Sequence, residues 1–565
     1  MVGKAYNRVE VAGRVWLSSM GIAVGIAALV GAGSAGTAGG VPDGMHTAAA
    51  ARGGTLRIGV PLGRFGPLDP ALVRHPDGTQ LFYATCALLY NYRDLPAPAG
   101  SLAVPEVAKA PPKVSKDGKT NTIVLKRTYR FHTGQRITAA SFVAALNRGA
   151  SPKLGSPARD YLHEFVGADA VIAGRADSIS GVTALGRYKL RIRTTRRLSD
   201  LVFRLAAPIF CPIAPSTPLR AIDPALGSGP YYIASHVPNR QIVVKRNPFY
   251  HGRRRAHVYR IVWRIGLDGE ACRAAVDRNE VDYCGFTGVP TGDYAELVRR
   301  YGINRKGGRF FSNPELRTDY YAFNHDRPAF AGRGQIPLKK AINLALDRHA
   351  LVRAVGFPVG RPTDQILPRA IGRDVAIYPV GSVTSASLRK ARKLVAKARL
   401  SPAKLVLYAF DLPVPAAAAR IFKSNLRRIG IEVEVKSFSI DALYDRVSTR
   451  GEPYDITQAG IIADYPDGIG VFRYLDGRNI RPKGNGNYAY FNRTRYNRRI
   501  TAIDRLRGVG RHKAWADLDV ELMRTDPPWA PIFNFYRRDF VSKSFGCYVF
   551  QPAISRVDLV AACKK

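Results

Sequence analysis

The sequence predicts an α/β protein with more than one lobe. Three observations carry that prediction. The chain has 565 residues, enough for several hydrophobic cores. Segments with period-2 alternation recur between amphipathic helical segments over most of its length. At Leu426–Val435 a helix, the stop Gly430 and the alternating Ile431, Val433 and Val435 follow one another directly.

In chain order, Thr55 to Gly59 reads as a first short strand and Leu81 to Tyr92 as a helix. From Asn121, the residues Ile123, Leu125 and Tyr129 suit a half-buried strand. His132-Thr133-Gly134-Gln135 then supplies turn chemistry, with His132 as turn structure rather than a base or ligand. Thr138 is placed to cap a helix whose Phe142, Val143 and Leu146 share one face. Asp169 to Arg193 reads as strands, with clean alternation over Tyr188–Arg193, and Gln241 to Arg246 is another strand. Thr318 to Asn324 is a strand, and Pro337 to Leu346 is a helix with the stripe Leu338, Ile342 and Ala345. Ser387 to Arg399 is a basic helix, Leu405 to Phe410 a strand, and Ala416 to Ile429 the helix that Gly430 stops.

Composition narrows the class. With 46% hydrophobic and 23% charged residues the chain is an ordinary globular one. The balance of 86 Lys+Arg against 43 Asp+Glu gives +43, an excess that favours anionic surroundings. The basic residues are scattered, and the densest cluster, Arg253-Arg254-Arg255, reads as a solvated corner. Lys4, Arg8 and Arg14 precede an uncharged stretch from Val15 to Pro42, the outline of a secretory signal peptide, and no Cys precedes Cys86 to serve as a lipid anchor. Export places the six cysteines in an oxidising compartment. Of fifteen possible pairings, the local pairs Cys272 with Cys284 and Cys547 with Cys563 are favoured, leaving Cys86 with Cys211.

No catalytic or metal motif stands out: there is no G-x-S-x-G elbow, Walker loop, C-x-x-C or H-x-x-x-H. Asp517 and Asp519 point different ways on a helix and read as solvated. The expectation is a non-enzyme without cofactor or metal. The stretch Ala459 to Gly468 stands apart, because a short apolar strand delivers Asp464 to its end, beside the turn Tyr465-Pro466-Asp467-Gly468. A carboxylate so placed holds an ammonium group through a charge-assisted hydrogen bond.

Several phrases in fixed order resemble one family. They are Leu68-Asp69-Pro70, Val104-Pro105-Glu106-Val107-Ala108, Phe131-His132 with Gly134 and Thr138-Ala139, Gly227-Ser228-Gly229-Pro230-Tyr231, and Asn247-Pro248-Phe249-Tyr250-His251-Gly252. Ala274 to Asp282 (with Asn279 where the family has Gly) and Phe323 to Arg353 follow. Together they are similar to the extracytoplasmic solute-binding proteins of peptide-type ABC transporters, family 5, over about Thr55 to Phe540.

The resemblance implies a two-lobed periplasmic-binding-protein-like fold, of the large type II class with an extra subdomain in lobe I. It divides the chain into signal peptide and spacer (1–52), lobe I (53–316), lobe II (317–527) and a return with C-terminal tail (528–565), the chain crossing between lobes near Leu316–Tyr321 and Asp526–Phe533. It implies a monomeric, exported, periplasmic or extracellular protein that captures a peptide or similar small solute by lobe closure and delivers it to ABC permease subunits. Asp464 matches the Asp that receives a ligand's α-amino group, whereas Ile461 stands where the family has Trp. Tyr83, Gly229, Tyr231, Asn324, Asn487 and Tyr488 are the other expected cleft walls. A secreted polyanion-binding protein, in association with anionic surfaces, is the alternative that the charge suggests.

Overall fold

The computed structural model describes residues 53–565 apart from 74, 286–288, 290, 333–334, 357–359 and 399–403. The expected signal peptide lies outside the described residues, as does Arg399 at the end of the basic helix.

Thr55–Val60 forms the second strand of a five-stranded sheet, parallel to Arg260–Ile265 on one side and Tyr283–Cys284 on the other. Gln241–Arg246 and Tyr231–Val237 extend it antiparallel to a free edge. One face of this sheet is apolar by strict alternation, with Leu56, Ile58, Ile242, Val244, Ile261 and Trp263 all buried. A four-stranded sheet pairs Thr120–Val124 with Lys189–Arg193 at its centre, and helix Ala139–Ala150 packs across it through Phe142 and Leu146. The Ser141 hydroxyl accepts the backbone N–H of Thr138 at 3.3 Å, so serine performs the capping role usual for an acidic residue there.

The third sheet has six strands in the order Gly360–Pro362, Trp529–Phe540, Phe310–Phe323, Ile456–Ile462, Lys404–Phe410 and Glu432–Phe438. Helices Ile336–Ala345, Ser385–Ala398 and Pro413–Arg427 bury their apolar faces against it. Its two longest strands link the cores. Phe310 and Phe540 pack with the Cys272–Cys284 region, whereas Leu316, Tyr320, Trp529 and Phe533 belong to the core of the six-stranded sheet. Pairing between the two strands is interrupted between Pro314 and Thr318, where the chain changes core. The result is the two-lobed α/β architecture with an added subdomain on the first lobe.

Both favoured local disulfides, Cys272–Cys284 and Cys547–Cys563, are present, as is the remaining pair Cys86–Cys211. Asn279 adopts φ +61°, which explains why asparagine replaces glycine at that step.

Four expectations need correction. Helix Pro76–Thr85 begins earlier and ends earlier than read, because Cys86 turns to extended backbone and Tyr90–Tyr92 pairs as a strand with Ala103–Pro105. Asp169 to Arg193 opens with a helical turn, Ala168–Ile172, and strands begin only at Val182. Arg254 is no solvated corner: it is buried, with its guanidinium 3.9 Å from the Tyr83 ring and 2.8 Å from Asp94. Asp519 is not solvated either, since its carboxylate is buried and accepts the backbone N–H groups of Ile366 and Leu367. No described helix is long and apolar enough to cross a membrane.

Candidate functional site

Asp464 follows strand Ile456–Ile462, which lies antiparallel to the crossing strand with Arg317 opposite Ile462 and Asp319 opposite Gly460. Residues directly opposite share a face, so Arg317, Asp319, Gly460 and Ile462 point to the same side. Arg317 grips Asp319 through two parallel bonds, Nε to Oδ2 at 3.0 Å and Nη2 to Oδ1 at 2.8 Å. Its guanidinium lies 4.3 Å from the Phe535 ring. A Cβ at Gly460 would stand 2.7 Å from the Asp319 carboxylate and push it aside.

Asp464 is not free. Arg473 Nη2 donates to its Oδ2 at 2.9 Å, and the same nitrogen donates to the Tyr474 hydroxyl at 2.8 Å. The side chains keep part of their surface in solvent: 25% for Asp464, 32% for Arg473, 24% for Arg317 and 16% for Asp319. Phe535, Tyr444, Tyr474 and Ile462 are likewise half-buried. Burial pushes the Tyr444 phenol up to about 12, with the positive charge of Arg317 opposing the rise. The result is a surface of two arginine–carboxylate pairs set among aromatic rings on the sheet that carries the crossing strands.

This surface borders the place where the lobes touch. Tyr465, next to Asp464, donates its hydroxyl to Asp200 Oδ2 at 2.7 Å and stacks on Phe203 with ring centroids 5.4 Å apart. Ser199 hydrogen-bonds Asp504, which also meets Arg511, and Arg511 holds the buried Asp467. Burial alone would push the Asp200 carboxyl up, but the Arg204 guanidinium and the Tyr465 hydroxyl outweigh it and hold the group below its ordinary range.

The remaining expected cleft walls fall elsewhere, with one exception. Tyr83 has 1% of its surface exposed, covered by Arg254, and its hydroxyl accepts from Gln551 at 3.3 Å. Tyr231 is fully buried and donates to the Val258 carbonyl. Gly229 passes so near Thr85 and Cys86 that a Cβ would lie 2.6 Å from the Cys86 nitrogen. Asn324 spends its amide on Tyr454 and Asp326, and Asn487 on Phe491. None of these five presents surface to a ligand in this arrangement, because each satisfies backbone groups or fills a core. Tyr488 is the exception: though mostly buried, its ring lies 5.8 Å from Tyr444 at the edge of the polar and aromatic surface. Sequence reasoning missed Arg317, Asp319, Arg473, Tyr444, Tyr474 and Phe535. The one available signal was the alternation in the Thr318–Asn324 strand, which puts Asp319 on a face of its own choosing only once the register is known.

Residues 103–481 match the family model described as bacterial extracellular solute-binding proteins, family 5 Middle. The chain is 24% identical over 440 residues to the periplasmic oligopeptide-binding protein OppA of Haemophilus influenzae, covering 74% of this chain and 78% of that one. Among solved structures it is similar to clavulanic acid biosynthesis oligopeptide binding protein 2, with TM-score 0.76, 24% identity, and 91% and 96% of the two chains covered. The unliganded open form of the periplasmic murein tripeptide binding protein MppA gives TM-score 0.76 at 20% identity, with 91% and 98% covered. The two-lobed fold, the three linked sheets and the matched two-thirds of the sequence agree, and the chain belongs to the bacterial extracellular solute-binding proteins, family 5.

Proposed function

We propose that this protein is the extracytoplasmic substrate-binding component of an ABC importer. It captures a peptide or a similar small solute as the lobes close and delivers it to permease subunits in the membrane. The observation that carries this reading is the half-exposed surface of Arg317, Asp319, Asp464, Arg473, Tyr444 and Phe535, which sits beside the lobe contact at Tyr465. Flat rings with fixed hydrogen-bonding groups suit ligands of varied side chain. The peptide-binding names of the relatives support the same class of ligand. Lobe I spans 53–316 and lobe II 317–527. The return segment 528–565 passes back through Trp529–Phe533, which pack with lobe II, before reaching lobe I at Phe540. Binding involves no covalent step. The mature protein works as an exported monomer, and a polyanion-binding role finds no support in the family relationship.

Native mass spectrometry of the purified mature protein, followed by denaturation, tests the reading. The expected result is release of one small solute per chain, and loss of its binding in an Asp464→Ala variant that unfolds like wild type. Turnover of a bound peptide, or binding of polyanions alone with affinity that falls steeply with salt, refutes it.

A further inference from the structure

One end of the five-stranded sheet, which carries none of the residues around Asp464, holds an open cavity of about 520 Å³. Thr55, Tyr232, Lys245, Arg246, Tyr259 and Arg260 line it. The strand register sets Thr55, Arg260, Lys245 and Tyr232 side by side across four strands. Lys245 and Arg260 are therefore like charges directly opposite each other, and both are exposed. Such a pair destabilises a sheet unless an opposite charge meets it. The chain supplies none. No Asp or Glu occurs between Asp223 and Asp268. Among the described residues no carboxylate lines the cavity or pairs with Lys245, Arg246 or Arg260. Arg57, two residues along from Thr55 on the same face, is by contrast held by Asp282 at 3.2 Å.

The lining groups are held in place from within the chain. Arg260 Nε donates to Thr55 Oγ1 at 3.2 Å. Arg246 Nη2 donates to the His257 carbonyl at 3.0 Å, and its guanidinium lies 4.6 Å from the Tyr259 ring. Tyr232 stacks on His132, and Tyr259 keeps 58% of its surface in solvent. Three cations beside two flat rings suit an anion attached to an organic group, and the volume exceeds that of a bare ion. A phosphate monoester offers three acceptor oxygens and nearly two negative charges, where a carboxylate offers two oxygens and one charge. We propose that this cavity is an anion site for the phosphate of a phosphomonoester, either soluble or in a lipid headgroup. Lys245 and Arg260 meet the phosphate, and Tyr232 and Tyr259 flank the group it is attached to.

The test uses the mature protein and three probes: glycerol phosphate, succinate, and phosphatidylcholine vesicles containing phosphatidic acid. Calorimetry reads the soluble probes and flotation reads the vesicles. Wild type should saturate with at least one phosphate probe at ~1 mM or tighter, and with succinate about tenfold more weakly or not at all. Saturation by glycerol phosphate assigns a soluble ester, and saturation by the vesicles alone assigns a headgroup. The double variant Lys245→Gln/Arg260→Gln should lose about tenfold or more. Arg389→Gln/Lys393→Gln, on the exposed side of helix Ser385–Ala398, removes the same charge elsewhere and should lose less than about twofold. Lys245→Gln alone, which ends the cross-strand repulsion, should melt no lower than wild type without ligand. No saturation by either phosphate probe, equal binding of succinate, or equal affinity of the two double variants overturns the site. The importer role stands under each of these outcomes.

Discussion

The contact between Tyr465 and Asp200 links the lobes, and Tyr465→Phe isolates it. The substitution deletes one hydroxyl and retains the ring that stacks on Phe203 at 5.4 Å. The lost bond is 2.7 Å long and ends on a buried carboxylate that otherwise keeps Arg204 Nε at 2.9 Å. A hydrogen bond to a charged acceptor contributes about 1.5–3 kcal/mol net. If the lobes separate at this point, their equilibrium should move by roughly ten- to a hundredfold away from the present arrangement. All six cysteines are held in disulfides, so fluorophores on cysteines introduced at Val237 in lobe I and Val509 in lobe II can report lobe separation by energy transfer. Both positions are exposed. The variant should show a redistributed transfer efficiency at an unchanged melting temperature for each lobe. Because the Asp200 carboxyl is held below its ordinary range, its contribution is present at neutral pH and is lost only as pH falls through that lowered value. Wild type should therefore redistribute in the same direction under acid conditions. An unchanged distribution in both experiments refutes the claim that this contact holds the lobes.

Two further predictions concern stability. Burial raises Asp519 from 3.8 to about 7, against the N–H groups of Leu367 and Ile366, so the native state binds a proton that the unfolded chain has released across that interval. The penalty is absent below the lower value, grows to about 4 kcal/mol by the upper one and is constant above it, so denaturant midpoints should rise on mild acidification and Asp519→Asn should flatten that slope. The disulfides should differ by loop length: removing Cys86–Cys211, which closes 125 residues, should cost about 5 kcal/mol, against about 3 kcal/mol for the 12-residue Cys272–Cys284, measured on double serine variants by denaturant titration.

The fold was legible because its motifs bind one another. His132 stacks on Tyr232 at 4.5 Å and accepts the Gly227 N–H. Asn247 donates to the Gly229 carbonyl, and Tyr250 donates to the buried Glu106. Asp69 of the first motif receives the Arg148 guanidinium, 79 residues away. Each partner restricts the residue types the other position tolerates, so the phrases stay readable in sequence. That same mutual dependence accounts for the burial of Tyr83, Gly229 and Tyr231 in this arrangement. The site was less legible for the converse reason. Arg317, Asp319 and Arg473 are unremarkable in sequence: one antiparallel register sets Arg317 and Asp319 opposite Ile462 and Gly460, and the short helix Ile469–Phe472 places Arg473 on Asp464. Asp519 was misread in the same way, since its backbone partners lie 153 and 152 residues distant. A binding surface in such a protein can change its charge pairing without disturbing the motifs that build the lobes. A charge pairing such as that of Asp464 with Arg473 can therefore differ between chains that share every phrase of the scaffold.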